Sequence, residues 1–335
     1  MVRLVLSLLF ILFFSSLINY TRNRKQEWYI CIFFIFLLTI ISGFRYDVGM
    51  DFPNYELMYN EPDHPMNNFI EPSWIIISKI LHFLNLKSVS WFMFTSFIIN
   101  MNILNTLYRY SKSFIFSVCL YIVSTEFFFQ SMNIVRQYFA ISIIFGFIHL
   151  YIERKYLKFI FVIIGAALFH PSALFTIPFF LIGTINFSPY ILTLILFISY
   201  GIKNYVLSFL EMVLKMTTNY AGYLLHMDAA TSSSGLYSLM LLLIGLFLIW
   251  YFGRNEKLYK WLNLTIISFC IYIAFIQFEA GQRINLYFFP ALLILISYIP
   301  EKKRMSETIV YTFSIIGGFF LFFIKAAGTV VYRVR

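Results

Sequence analysis

Charge is scarce in this 335-residue chain: only 12% of residues are Asp, Glu, Lys or Arg, against about 25% in ordinary soluble domains. A soluble enzyme, a nucleic-acid binder and a disordered tail are excluded by that shortage together with the 61% of hydrophobic residues. Cysteine is equally sparse. Cys31, Cys119 and Cys270 sit in separate apolar runs with no C-x-x-C pair and no adjacent histidine, so neither a disulfide scaffold nor a zinc site is indicated. No G-x-x-x-x-G-K-[ST] phosphate loop, H-E-x-x-H helix, G-x-S-x-G elbow or dinucleotide fingerprint occurs. ATP-driven work and metalloprotease chemistry are therefore not expected, and neither a cofactor nor a metal is called for.

What the chain has instead is length of apolar sequence. Runs recur at 4–20, 28–44, 88–108, 113–130, 137–152, 156–169, 172–183, 189–203, 235–252, 258–278, 284–299 and 308–324. At about 20 residues per crossing of a hydrocarbon core about 30 Å thick, they predict an all-α polytopic membrane protein with about 11–13 transmembrane helices. Residues 4–20 lack an Ala-x-Ala-like cleavage site and run into Arg22, Arg24 and Lys25, so they are expected to stay as a first helix. Pro171 breaks the run 156–183, and Pro290 is placed to kink another. The expected organisation is one multi-pass domain over residues 1–335. Two longer extracytoplasmic loops interrupt it at about 45–72, with six acidic residues, and at about 204–234.

The net charge of +10 has a topological reading. Fourteen of the 25 Lys and Arg lie in the short connections 21–27, 109–112, 153–158, 253–260 and 301–306. The positive-inside rule puts all five on the cytoplasmic side, provided that residues 73–86 do not cross. That segment spans 14 residues and carries Lys79 and His82; at about 21 Å as a helix it is expected to be re-entrant or interfacial.

The opposite face then collects Arg45, Arg136 and Arg283, placed against the topological bias. A guanidinium is a permanently charged fork that binds phosphate or carboxylate oxygens bidentately, and three at one surface suit a diphosphate. Pairing with Asp47, Asp51, Glu71, Glu126 or Glu279 is the structural alternative. Asp51, Glu71 and His170 are the candidate general bases. Tyr55, Trp74, Gln137, Gln282 and Tyr287 are candidate sugar contacts.

The order of these pieces resembles the EpsG-like membrane proteins, a branch of the Wzy-type polysaccharide polymerases related to O-antigen polymerases and ligases. The resemblance rests on residues 44–55 (FRYDVGMDFPNY), Glu71 with Pro72 before a short apolar helix, 134–140 (IVRQYFA), 169–174 (FHPSAL) and 281–287 (GQRINLY). Met50 departs from the small polar residue common in the first signature. The resemblance implies an enzyme of the bacterial inner membrane whose site faces the periplasm or cell exterior. It would join oligosaccharide repeat units carried on a polyprenyl diphosphate into O-antigen, capsule or exopolysaccharide. Donor and acceptor would both be lipid-linked, with membrane lipids around the chain, a chain-length regulator and a flippase as partners, and no nucleic acid. The alternatives are a flippase or transporter for lipid-linked oligosaccharide, and a membrane acyltransferase acting on surface sugars.

Overall fold

The computed structural model describes residues 24–49, 51–216, 234–299 and 333–334. The runs 4–20 and 308–324, the basic connection 301–306 and loop residues 217–233 lie outside the described residues. The protein is an all-α polytopic membrane protein; among the described residues the only strands are Arg45–Tyr46 (β1) and Arg333–Val334 (β2), paired antiparallel. The chain forms two compact units, Met1–Leu174 with Ile296–Arg335, and Phe175–Leu295.

By length and composition three described helices can cross a membrane: Arg24–Gly43, Pro189–Val206 and Gly235–Phe252. Phe114–Ile122 with Glu126–Asn133 makes a fourth if counted as one span bent by 61°; the bend falls at a π-helical turn, Thr125–Phe129, a common cause of sharp kinks. The other expected runs are broken more finely. Pro171 divides residues 156–183 into a helix Tyr156–Ala167, a 3-10 turn Pro171–Thr176 and a helix Ile177–Ile182. Pro290 opens a helix, Pro290–Ile296, instead of kinking one, as suits a residue with a fixed φ and no N–H.

In the first unit, α1 (Arg24–Gly43) turns Cys31, Phe34, Ile35, Leu38, Thr39, Ser42 and Gly43 inward at three- and four-residue spacing. Its partner is the helix Ser88–Tyr110. The two run antiparallel: Arg24 Nη1 donates to the Tyr108 carbonyl at 2.8 Å, while at the other end Gly43 lies against Met93. A side chain at Gly43 would collide with Met93, so glycine sets how closely these backbones approach. Thr95 and Ser42 return their hydroxyls to carbonyls one turn back, which satisfies polar groups on buried faces.

The segment 45–72, expected as a polar loop, is partly helical. Helix α2 (Phe52–Asn60) buries Phe52, Tyr55, Met58 and Tyr59, and a 3-10 turn follows at Pro65–Phe69. Helix α3 (Pro72–Phe83) has 12 residues, about 18 Å at 1.5 Å per residue, too short to span. We number the remaining helices of this unit α4 (Ser88–Tyr110), α5 (Phe114–Val123), α6 (Gln130–Asn133), α7 (Val135–Gly146), α8 (Ile148–Ile152) and α9 (Tyr156–Ala167).

The antiparallel α1/α4 pair brings residues 24–27 and the connection 109–112 to one end of the unit. The connection 153–158 and residues 297–298 join them there. The Lys112 amide donates to Ser297 Oγ at 2.9 Å and the Tyr298 hydroxyl to the Tyr110 carbonyl at 3.1 Å. Glu153, ion-paired with Lys155 at 2.6 Å, lies within electrostatic reach of Tyr110. The chain between α1 and α4 therefore leaves and returns at the same end, as a non-crossing α3 requires.

The second unit packs α11 (Pro189–Met216), α12 (Ser234–Phe252) and α13 (Tyr259–Ala274) together, after α10 (Ile177–Ile182). Helix α11 continues to Met216, so residues 204–216 are helix where a loop was expected. Gly245 admits Leu196 and Phe269 at the crossing of the three. Asn263 donates to the carbonyls of Gly183 and Ile185 at 3.1 and 2.6 Å, tying the start of α13 to the turn before α11.

Candidate active site

Glu71 precedes Pro72, the first residue of α3, and its backbone is extended (φ −59°, ψ 132°) as a residue before proline prefers. Its carboxylate makes no cap on its own helix. It accepts instead from Arg136 Nη1 at 2.5 Å and lies 3.2 Å from His170 Nδ1. The three residues are separated by 65 and 99 positions, and their side chains are 11%, 30% and 26% exposed for Glu71, Arg136 and His170. The cluster is thus accessible at its rim. It lies at the end of the first unit away from the basic connections, because α4 and α7 run parallel, with Phe94 beside Phe139 and Thr106 bonded to the Phe145 carbonyl.

Three devices hold it. The first is the break after α9. His170 stands between Ala167, where the helix ends, and Pro171; the carbonyls of Leu168 and Phe169 are taken by Ser73 Oγ at 2.6 Å and Trp74 Nε1 at 2.9 Å. Those two bonds clamp the start of α3 to the residues before His170. The second is an aromatic cluster: Trp74, fully buried, meets Trp91, Phe139 and Phe169 at centroid distances of 5.4, 5.0 and 5.5 Å.

The third is Tyr55. Helix α7 begins after Ile134, which has no side chain able to cap it, and the amides of Val135 and Arg136 hydrogen-bond the Tyr55 hydroxyl from α2. The same hydroxyl bonds the Arg136 guanidinium, while its ring stacks on Trp91 at 5.3 Å. One phenol therefore caps the helix that carries Arg136 and also orients the arginine.

Burial works to raise the Glu71 carboxyl, but the hydrogen bond to His170 and the charge and hydrogen bond of Arg136 outweigh it, leaving its pKa below the ordinary glutamate value. Burial, joined by the Asp51 charge, pushes the Tyr55 hydroxyl up to about 12 despite Arg136 and the two amides. Tyr55 stays a neutral phenol at any physiological pH.

The other expected site residues fall as follows. Asp51 begins α2, half-buried, within electrostatic reach of Tyr55. Arg45 is buried beside the cluster's aromatic wall, its guanidinium 4.6 Å from the Phe92 ring centroid and donating to the Ser42 carbonyl. Such an arginine presents no open fork to a diphosphate in this arrangement. Tyr55 and Trp74 are buried and show no face on which a sugar could stack, so the aromatic positions expected for sugar hold the site from behind. Gln137 is buried on α7.

In the second unit Arg283 is 43% exposed and paired with Glu279 through Nε at 3.1 Å and through Nη2; Gln282 is half-buried and Tyr287 buried. Internal pairing thus accounts for part of the charge of Arg136 and Arg283. Among the described residues no three His, Cys, Asp or Glu side chains gather as a metal cage. Ser73, Trp74 as a clamp, and the capping role of Tyr55 were not foreseeable: serines and aromatics are too common here, with 24 tyrosines and 42 phenylalanines, for spacing to single them out.

The profile of the EpsG family matches residues 28–332. The chain belongs to the EpsG family. No curated protein and no solved structure matches it. This EpsG-family chain is accordingly a polysaccharide-polymerase-like membrane protein of glycosyltransferase character, and the match extends over the Glu71, Arg136 and His170 positions.

Proposed function

We propose that this EpsG-family protein joins saccharide repeat units carried on a polyprenyl diphosphate, at the outer face of the bacterial inner membrane, with the Glu71–Arg136–His170 cluster as its catalytic centre. The observation that carries the reading is the Glu71 carboxylate bound on one side to Arg136 and on the other to His170 Nδ1. A carboxylate on Nδ1 fixes the imidazole tautomer and leaves Nε2 as the proton acceptor, the logic of carboxylate–histidine pairs generally. Of the three candidate bases this favours His170. Glu71 is the orienting group, since a carboxyl held below its ordinary pKa is a weak base.

In the reaction a hydroxyl of one lipid-linked saccharide attacks the anomeric carbon of the other. Its proton passes to His170 Nε2, a new C–O bond forms, and the anomeric C–O bond to the diphosphate breaks. The leaving group carries away the electron pair. Arg136 donates to Glu71 and meets Tyr55, yet a guanidinium has five N–H donors. Those remaining can meet the charge that develops on the diphosphate, where preorganised donors lower a barrier most. No nucleotide is needed.

The test is reconstitution. Purified protein given lipid-linked repeat units in detergent should yield a ladder of longer glycans, and His170→Ala and His170→Gln should leave single units while keeping the protein folded. A wild-type ladder from both variants, or no ladder from the wild type, would refute the assignment. A transporter would bind the same lipid without producing a ladder.

A further inference from the structure

The second unit holds a cation that neither the basic connections nor the site above accounts for. Lys203 lies within the apolar span Pro189–Val206 of α11. A snorkelling lysine would extend past the helix end toward water. This one turns inward: its ammonium lies 3.7 Å from the centroid of the Tyr200 ring and donates to Ser238 Oγ on α12 at 3.2 Å. Ser238 is fully buried and its own hydrogen goes to the Gly235 carbonyl at 2.8 Å, so it serves Lys203 as an acceptor. Among the described residues no carboxylate pairs with Lys203.

An ammonium has three N–H donors. One is on Ser238 and one faces the Tyr200 ring, which leaves one for an anion. Intramembrane cations are rare and costly, and an unneutralised one marks a binding site by default. The surroundings fit a phosphorylated ligand at a membrane boundary. The Tyr237 and Tyr272 rings, 5.0 Å apart, stand beside Ser238 and toward the end of α13, and α13 runs on from there toward Glu279 and Arg283. Within this unit the connection 253–260, with Arg254, Lys257 and Lys260, lies at the other end: Gly253 packs on Pro189 and Tyr190 on Trp250, at the start of α11 and the end of α12.

We propose that Lys203, with Ser238 and Tyr200, is an anion site for the phosphate or diphosphate headgroup of a lipid-linked saccharide, built from residues other than Glu71, Arg136 and His170. The assignment rests on the polymerase reading in one respect: joining two lipid-linked saccharides requires two diphosphates to be held, and Lys203 supplies a second cation for them.

The experiment uses the full chain in neutral detergent and follows acetylation of Lys203 by an amine-reactive reagent, peptide by peptide, in a mass spectrometer. Geranylgeranyl diphosphate should slow labelling of Lys203 at least fivefold, whereas geranylgeraniol should not. Equal slowing by inorganic pyrophosphate would assign recognition to the anion alone; slowing only by the prenylated form would assign it to the lipid headgroup. Both outcomes support the site.

Unchanged labelling with either diphosphate, or equal slowing by geranylgeraniol, overturns it. In the ladder assay Lys203→Met should raise the apparent KM for the lipid-linked unit about tenfold, with Lys203→Arg near the wild type. A preparation that makes polymer while Lys203 ignores diphosphates defeats this inference and leaves the polymerase reading intact. Protection of Lys203 in a preparation that makes none leaves the anion site standing and removes that reading.

Discussion

Glu71 occupies a helix-cap position and caps nothing of its own. A carboxylate not spent on its own helix can bind Arg136 and His170 at once. Arg136→Lys keeps the charge but removes the fork, so glycan ladders should collapse toward single units with at least a tenfold loss of rate, read on gels from cells whose membranes hold normal amounts of protein. Tyr55→Phe keeps the ring on Trp91 and deletes the oxygen that caps α7 and meets Arg136. It should cost about 1 kcal/mol of stability and lower kcat several-fold with little change in KM; an unchanged kcat would reduce Tyr55 to a structural part.

The Glu71 pair also carries a pH signature with a definite sign. Its pKa is lower folded than unfolded, so its contribution is present above the ordinary glutamate value, about 4.3, and is lost as pH falls through the lower folded value. The difference in thermal midpoint between wild type and Glu71→Gln should be largest near neutrality and shrink below about pH 4. A difference that grew on acidification would contradict the pairing.

Among the elements, the ones hardest to read from sequence are those whose character comes from packing. Arg136, His170 and Glu71 were legible as titratable groups at the ends of apolar runs, and the short α3 was legible from its length. Helix α2 was not, because nine residues containing a proline and a carboxylate look like loop, and only the burial of Phe52, Tyr55, Met58 and Tyr59 reveals its inner face. Trp74 illustrates the same limit: a tryptophan beside a site reads as a sugar platform until its neighbours are known. Lys203 is not legible as a site in the sequence because it ends an apolar run and belongs to no basic connection.

Gly49 is another packing-determined position. Its φ of +92° is left-handed, and a methyl there would lie 3.1 Å from Asn133 Oδ1 and 3.2 Å from Asn133 Cα. Gly49→Ala should therefore destabilise by about 1–3 kcal/mol, measured as a lower thermal midpoint in detergent.

At the scale of the molecule, the distribution of charge and the path of the helices agree within the first unit. The basic connections 24–27, 109–112 and 153–158 meet at one end and the proposed catalytic cluster lies at the other. Single cysteines at Lys112 and Lys155 should react with a membrane-impermeant thiol reagent only from the cytoplasmic side, and one at Asp63, an exposed residue paired with Lys79 at 2.7 Å, only from outside. Labelling of positions 63 and 112 from the same side would undo the topology and the outward-facing site with it.

The break at Pro171 gives the molecule an inverted relation between local order and function. A proline there has no N–H for the carbonyl one turn back, and the chain leaves the helix just where Ser73 and Trp74 collect the carbonyls of Leu168 and Phe169. Pro171→Ala would let α9 continue and draw those carbonyls into its own ladder. The helix would be mended, α3 would lose its moorings, and His170 would swing away from Glu71: a repair that any measure of helicity would score as an improvement would disconnect the parts proposed to do the chemistry.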